Sequence, residues 1–134
     1  MKKNPLLHPE ISKVIASLGE GDQLVIATAD LPISSDVQRI DILLTKGIPT
    51  VEQTLSVVFS EMHVQEAIIA EELEGTNASL LRGLKEKLGE IPITHVMYVA
   101  LKQRTKMAKA VIRTGDITNF ATLILIAGKM GNDS

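Results

Sequence analysis

Gln23-Leu24-Val25-Ile26-Ala27-Thr28-Ala29 is short, apolar and β-branched, and Leu31-Pro32 breaks it. A run of that length between breakers predicts a buried strand. A helix is expected before it. Pro9 suits a first helical turn, where a missing N–H wastes no hydrogen bond. Ile11, Val14, Ile15 and Leu18 then recur at helical spacing, and Gly19 ends the run. After it, Arg39 to Thr45 reads as a second strand, with Gly47 and Pro49 punctuating the loop that follows. Thr50 with Gln53 three residues on is a capping-box pattern. It opens a helix carrying Val51, Leu55, Val58, Phe59 and Met62 on one side.

The alternation continues to the end. Ala67 to Ala70 is a third strand. Thr76 or Asn77 can cap a helix bearing Leu80, Leu81, Leu84 and Leu88, which Gly89 ends. Ile93 to Val99 reads as a fourth strand and Leu101 to Ala108 as a short helix. Lys109 to Thr114 and Ala121 to Ile126 are two further strands, joined through Gly115-Asp116. Strands alternating with helices imply an α/β fold: a three-layer α/β/α arrangement around a mostly parallel sheet. The last two strands are expected to add any antiparallel pairing at one edge. Ligands of such sheets sit beyond the carboxyl ends of the strands, so residues just after each strand are the ones to watch.

Composition narrows the function classes. The 134 residues suit one domain over 1–134, with no linker or repeat. Aromatics are only Phe59, Tyr98 and Phe120, so the core must be aliphatic and stacking platforms for single-stranded nucleic acid are missing. The net charge of −2, with signs interspersed, lacks the basic footprint of a nucleic-acid binder. The basic segment Lys102 to Arg113 reads as a solvated face. No cysteine is present, which removes disulfides, thiolate zinc sites and thiol nucleophiles and fits the cytoplasm. Met1-Lys2-Lys3-Asn4-Pro5 is basic but leads into no apolar stretch of signal-peptide length. The apolar runs around Leu24 and Leu123 are too short to cross a bilayer. No membrane association is expected.

Several chemistries leave no trace. There is no Gly-rich phosphate loop, nucleophile elbow or paired-histidine zinc motif. Gly19-Glu20-Gly21 precedes a strand rather than opening a helix, so it is no dinucleotide fingerprint. His8, His63 and His95 are scattered and read as surface or capping residues, so no metal site is expected.

An ordered set of segments carries a resemblance. They are Leu18-Gly19-x-Gly21-Asp22, Leu31-Pro32-Ile33, Arg39-Ile40-Asp41, Ala70-Glu71-Glu72 and Lys109-Ala110-Val111-Ile112-Arg113-Thr114-Gly115-Asp116. Each is weak alone, but together and in this order they resemble the RbsD/FucU family of sugar mutarotases, the D-ribose pyranases and L-fucose mutarotases. The resemblance implies a three-layer subunit assembled into a homo-oligomeric ring, often a decamer, with ligand sites between neighbours. It implies a monosaccharide as partner and interconversion of sugar ring forms as the activity. That reaction asks one group to take the anomeric proton and another to protonate the ring oxygen, with no cofactor.

The same resemblance exposes departures. The family histidine after Leu-Gly falls on Glu20, and the family aspartate at the first strand's end on Thr28. A second family histidine falls on Tyr98, while the lysine four residues later is kept as Lys102. The neighbouring subunit's Tyr-x-Asn pair falls on Phe120 and Thr122. Glu20 is therefore the catalytic candidate, since a carboxylate can take the anomeric proton and burial would raise its pKa. Its bland alternative is a solvated loop carboxylate.

Thr28, Asp30, Tyr98, Lys102, Phe120 and Thr122 form the expected substrate-binding set. Asp30 lies two residues after Thr28, on the same side if the strand is still extended there, and is otherwise a turn aspartate. Tyr98 donates a hydrogen bond but is a poor base near neutrality. His95, three residues away on the strand, would face the other side. Lys102 could contact sugar hydroxyls or hold Glu20 charged, and is otherwise a surface lysine. Phe120 keeps a wall for a sugar face, Thr122 can donate and accept, and Asp22 is expected to brace its loop. Two functions follow: a divergent mutarotase working through Glu20, or a non-catalytic ring that binds a sugar or sugar phosphate or serves as a scaffold. Convergence of Glu20, Lys102 and Asp30 on one pocket favours the first.

Overall fold

A computed structural model describes residues 5–129, so the basic start Met1 to Asn4 lies outside the described residues. Helix α1 (Pro9–Ser17) leads to strand β1 (Gln23–Ala27) and then β2 (Gln38–Asp41). Next come α2 (Val51–Phe59), β3 (Val64–Ala70), α3 (Glu72–Thr76) and α4 (Ala78–Leu88). The chain ends with β4 (Ile93–Val96), α5 (Tyr98–Thr105), β5 (Ala110–Arg113) and β6 (Leu123–Ala127).

Local chemistry sets the starts of α1, α2 and α4. His8 caps α1, its Nδ1 accepting from the Ile11 N–H at 3.3 Å. The capping box of α2 is complete: Thr50 Oγ1 accepts from Gln53 N, and Gln53 Oε1 accepts from Thr50 N. Asn77 Oδ1 accepts from Leu80 N and starts α4. Gly89 ends that helix at φ 62°, a backbone conformation that glycine adopts without a Cβ penalty.

The strands form a six-stranded sheet in the order β2-β5-β1-β6-β3-β4. β1 and β2 each pair parallel with β5, and β3 pairs parallel with β4. β6 runs antiparallel to both its neighbours, β1 and β3. This corrects the expectation of antiparallel pairing at an edge: the reversed strand is central. Leu123-Ile124-Leu125-Ile126-Ala127 is apolar on both faces, as a strand covered on both sides must be.

Two aliphatic clusters flank the sheet. Leu24, Ile26, Ala67, Ile69, Ile112, Leu123 and Leu125 face α1, α2 and α4, where Ile11, Val14, Leu55, Val58, Leu84 and Leu88 meet them. On the other face Val25, Ala27, Ile68, Val111 and Ile124 pack under Leu101 of α5 and under Leu31 and Val37 of the β1–β2 connection. Each fully buried Leu or Ile contributes about 1.5–3 kcal/mol of transfer free energy, which makes these clusters the main support of the fold. One helix and one loop cover the second face.

Three strands stop two or more residues before their predicted ends, all at the same end of the sheet. β1 stops at Ala27 and not Ala29, β2 at Asp41 and not Thr45, and β4 at Val96 and not Val99. Tyr98 therefore opens a helix; it does not close a strand. The residues released beyond Ala27 and Val96, at the carboxyl ends of β1 and β4, are those of interest for function.

Candidate functional site

β1, β2, β3, β4 and β5 run the same way, so their carboxyl ends share one rim with the amino end of β6. Thr28 follows β1 on this rim and Thr122 precedes β6. The Thr28 N–H donates to Thr122 Oγ1 at 3.0 Å, and the two hydroxyl oxygens lie 3.2 Å apart. Leu31 N donates to Thr28 O at 3.3 Å, closing a turn. Asp30 is therefore a turn aspartate, yet the turn keeps it beside Thr28, whose Oγ1 donates to Asp30 Oδ1 at 2.7 Å.

Tyr98 and Lys102 stand one helical turn apart on α5. Lys102 Nζ lies 5.1 Å from the Tyr98 ring centroid, a cation–π distance. The Phe120 ring meets Tyr98 edge to face, with centroids 5.2 Å apart at 82°. Phe120 takes φ 65°, a left-handed backbone that bulky residues rarely adopt, two residues before Thr122. Burial and then the nearby charge of Asp30 push the Tyr98 phenol above its ordinary pKa, so it is a hydrogen-bond donor throughout the neutral range. The structure thus gathers Thr28, Asp30, Tyr98, Lys102, Phe120 and Thr122 within one chain. Phe120 and Thr122 meet Tyr98 and Thr28 of their own subunit.

Glu20 is not in this group. It is exposed in the loop before β1, between Gly19 and Gly21. Asp22 braces that loop, its Oδ2 accepting from Gly19 N at 2.8 Å, and Gly21 N donates to Ala127 O at the carboxyl end of β6. A strand advances about 3.3 Å per residue, so β1 alone separates Glu20 from Thr28 by roughly 13 Å. The expected convergence of Glu20 with Asp30 and Lys102 does not occur within a subunit.

One positioning residue had no role assigned from sequence. Both carboxylate oxygens of Glu72 accept from the Tyr98 N–H, at 3.0 and 3.2 Å, and cap α5 from another part of the chain. Its signal was the Ala70-Glu71-Glu72 segment, which carried the resemblance without a stated job. Around the rim, Arg113 Nε donates to Asp41 Oδ1 at 2.8 Å and its Nη1 to Ala29 O at 3.3 Å. Arg39 Nε lies 3.3 Å from the other Asp41 oxygen. The Arg113 hydrogen bond holds the Asp41 carboxyl below its ordinary value. A lowered folded pKa stabilises above the unfolded value, about 3.9, and the effect is lost as pH falls through the folded value. The stability difference between wild type and Asp41→Asn is therefore expected to be full at pH 7 and to shrink as the pH is lowered below the ordinary carboxylate range. Urea midpoints at pH 7 and at successively lower pH check this.

Three hollows mark the surface of the subunit. One of about 250 Å³ sits by Ile15, Leu18, Met62 and His63 at the opposite end of the sheet. An apolar one of about 220 Å³ lies between Leu7, Ile11, Ile42 and Val57. A third is lined by Thr76, Asn77 and Ile117 to Asn119. None of these three is lined by Asp30, Tyr98, Lys102 or Phe120, which lie exposed or half-buried on an open face, while Thr28 and Thr122 are buried. Among the described residues no three His, Asp or Glu side chains gather as metal ligands, and no helix is long and apolar enough to cross a membrane.

Comparison with known proteins agrees from end to end. The chain is 48% identical to a D-ribose pyranase of Variovorax paradoxus, over 96% of this chain and 98% of that protein. It is 41% identical to a D-ribose pyranase of Geobacillus thermodenitrificans, over 96% and 97%. The structure of Bacillus subtilis RbsD complexed with D-ribose superposes with a TM-score of 0.92 at 38% identity, covering 98% of this chain and all of that one. Residues 1–130 match the RbsD / FucU transport protein family, and the chain belongs to it.

Proposed function

We propose that this chain interconverts ring forms of a free monosaccharide, such as the pyranose and furanose forms of D-ribose. The observation that carries this is the gathering of Asp30, Tyr98, Lys102 and Phe120 at the carboxyl ends of the strands, supported by the likeness to a protein solved with D-ribose. Ring opening needs a group that accepts the anomeric proton and a donor at the ring oxygen. A carboxylate and a protonated phenol supply both, and no redox step is involved. Phe120 offers an apolar wall for a sugar face, and Lys102 a donor for hydroxyls.

The open face suits a single-domain subunit whose site is closed by a neighbour in a ring, in the cytoplasm. Such a ring is also the arrangement in which Glu20 of one copy could approach the group on the next. The separation of Glu20 from the site within a subunit favours a second reading, a ring that binds a sugar without turning it over.

Exchange NMR on D-ribose separates the two. The mutarotase reading expects saturation transfer between pyranose and furanose signals to rise with protein and to saturate with sugar. Calorimetric binding of D-ribose without acceleration would establish the non-catalytic reading instead.

A further inference from the structure

We propose that Asp30 is the proton carrier of this chain, and that Thr28 and Thr122 are positioning residues that aim it. This rests on the ring-interconversion reading. A hydroxyl has one proton to give. That of Thr28 goes to Asp30 Oδ1 at 2.7 Å. In the 3.2 Å contact between the two threonines, Thr122 is then the donor and Thr28 the acceptor. Thr122 Oγ1 also accepts from the Thr28 N–H at 3.0 Å. The hydrogen bonds therefore run one way, from Thr122 through Thr28 to the carboxylate.

Burial separates the roles. Thr28 is 2% exposed and Thr122 0%, so neither presents its hydroxyl to a sugar. Asp30 is exposed, and among the described residues no cation lies within ion-pair distance of it. One carboxylate oxygen is held by Thr28, and the remaining lone pairs are left for a substrate O–H. The Tyr98 ring, set by its edge-to-face contact with Phe120 and by Lys102 over its face, carries the phenol that serves as the donor.

The step balances with one proton and no co-reactant. Asp30 takes the proton of the anomeric hydroxyl as the bond from C1 to the ring oxygen breaks. The electron pair leaves on the ring oxygen, which the Tyr98 O–H stabilises by hydrogen bonding. Asp30 then returns the same proton to that oxygen, leaving an open-chain aldehyde and a carboxylate ready for another cycle. Closure by a different hydroxyl follows the same path in reverse. Nothing in this sequence requires Glu20.

The test is exchange NMR on D-ribose with wild type, Asp30→Asn, Thr28→Val, Thr28→Ser and Glu20→Gln, with urea midpoints to confirm that each is folded. Asp30→Asn is expected to lower kcat by about 10²- to 10⁴-fold with KM little changed. Thr28→Val should lower kcat roughly tenfold, the rate equivalent of a hydrogen bond to a charged group, and Thr28→Ser should restore it. Glu20→Gln should lose less than Asp30→Asn. A folded Asp30→Asn protein that keeps wild-type exchange overturns the proposal, as does a Thr28→Ser protein no better than Thr28→Val. Exchange lost in Glu20→Gln but kept in Asp30→Asn transfers the carrier to Glu20. No exchange in wild type overturns the ring-interconversion reading, and this proposal with it.

Discussion

Gly115→Ala is expected to destabilise the protein by about 3 kcal/mol or more, a loss large enough to leave a marginal domain partly unfolded. A Cβ at this position would press on the Thr45 carbonyl oxygen and lie 2.5 Å from the Ile48 oxygen and 2.8 Å from the Ile48 nitrogen. All three are backbone atoms, so no side chain can rotate away. The same approach makes two hydrogen bonds, Gly47 N to Gly115 O at 2.6 Å and Gly115 N to Pro49 O at 2.9 Å. The added methyl group must break one of them or push the Thr45–Ile48 turn off the sheet. Urea denaturation checks it: the midpoint falls while the slope stays. A midpoint within error of wild type would mean that the turn moves freely, and the close packing would have no energetic weight.

Asp116→Ala is expected to lose about 3 kcal/mol by a different route. Asp116 is 5% exposed, and its two carboxylate oxygens accept from Val51 N and Thr118 N, each at 2.9 Å. Val51 is the first residue of α2, so the carboxylate also faces the positive end of that helix. Removing it leaves the buried Val51 N–H and the half-buried Thr118 N–H without that acceptor, and hydrogen bonds to a charged group are worth about 1.5–3 kcal/mol. Asp116→Asn should fall between wild type and alanine, because a neutral amide has one carbonyl oxygen for two donors. Denaturation midpoints in the order wild type, asparagine, alanine support this; equal midpoints for the two variants would not. The Asp116 carbonyl also accepts from Ala29 N at 2.8 Å, so the variant loosens the turn that presents Asp30. Gly115 and Asp116 connect helix, turn and site through one short segment, and Thr114 ties the same segment to β1 by donating to Ala27 O at 2.8 Å.

Much of this was legible in the residues. The Thr50 and Gln53 pair, Asn77, Gly89 and the Leu81-Leu84-Leu88 stripe each act through neighbours three or four residues away, so local spacing sufficed to place α2 and α4. The alternation of strands and helices was enough for the α/β class, and the ordered segments from Leu18-Gly19 to Gly115-Asp116 for the family. The end of β4 was not legible. Nothing local at Met97 marks a helix start, because the capping carboxylate comes from Glu72, 26 positions earlier. The place of β6 was hidden for a related reason: an apolar strand reads the same wherever its hydrogen-bonding partners lie, and those are long-range.

For function the division is sharper. The sequence by itself determined which residue types stand at the family's site positions, including Glu20, Thr28 and Tyr98. Only the tertiary structure decided which of them meet. Glu20 was the catalytic candidate and Asp30, ten positions on, stood only in the binding set, but β1 runs between them and carries Glu20 to one end of the sheet and Asp30 to the other. Distance along an extended strand cannot be folded away, and that is why the rim beside Tyr98 holds Asp30.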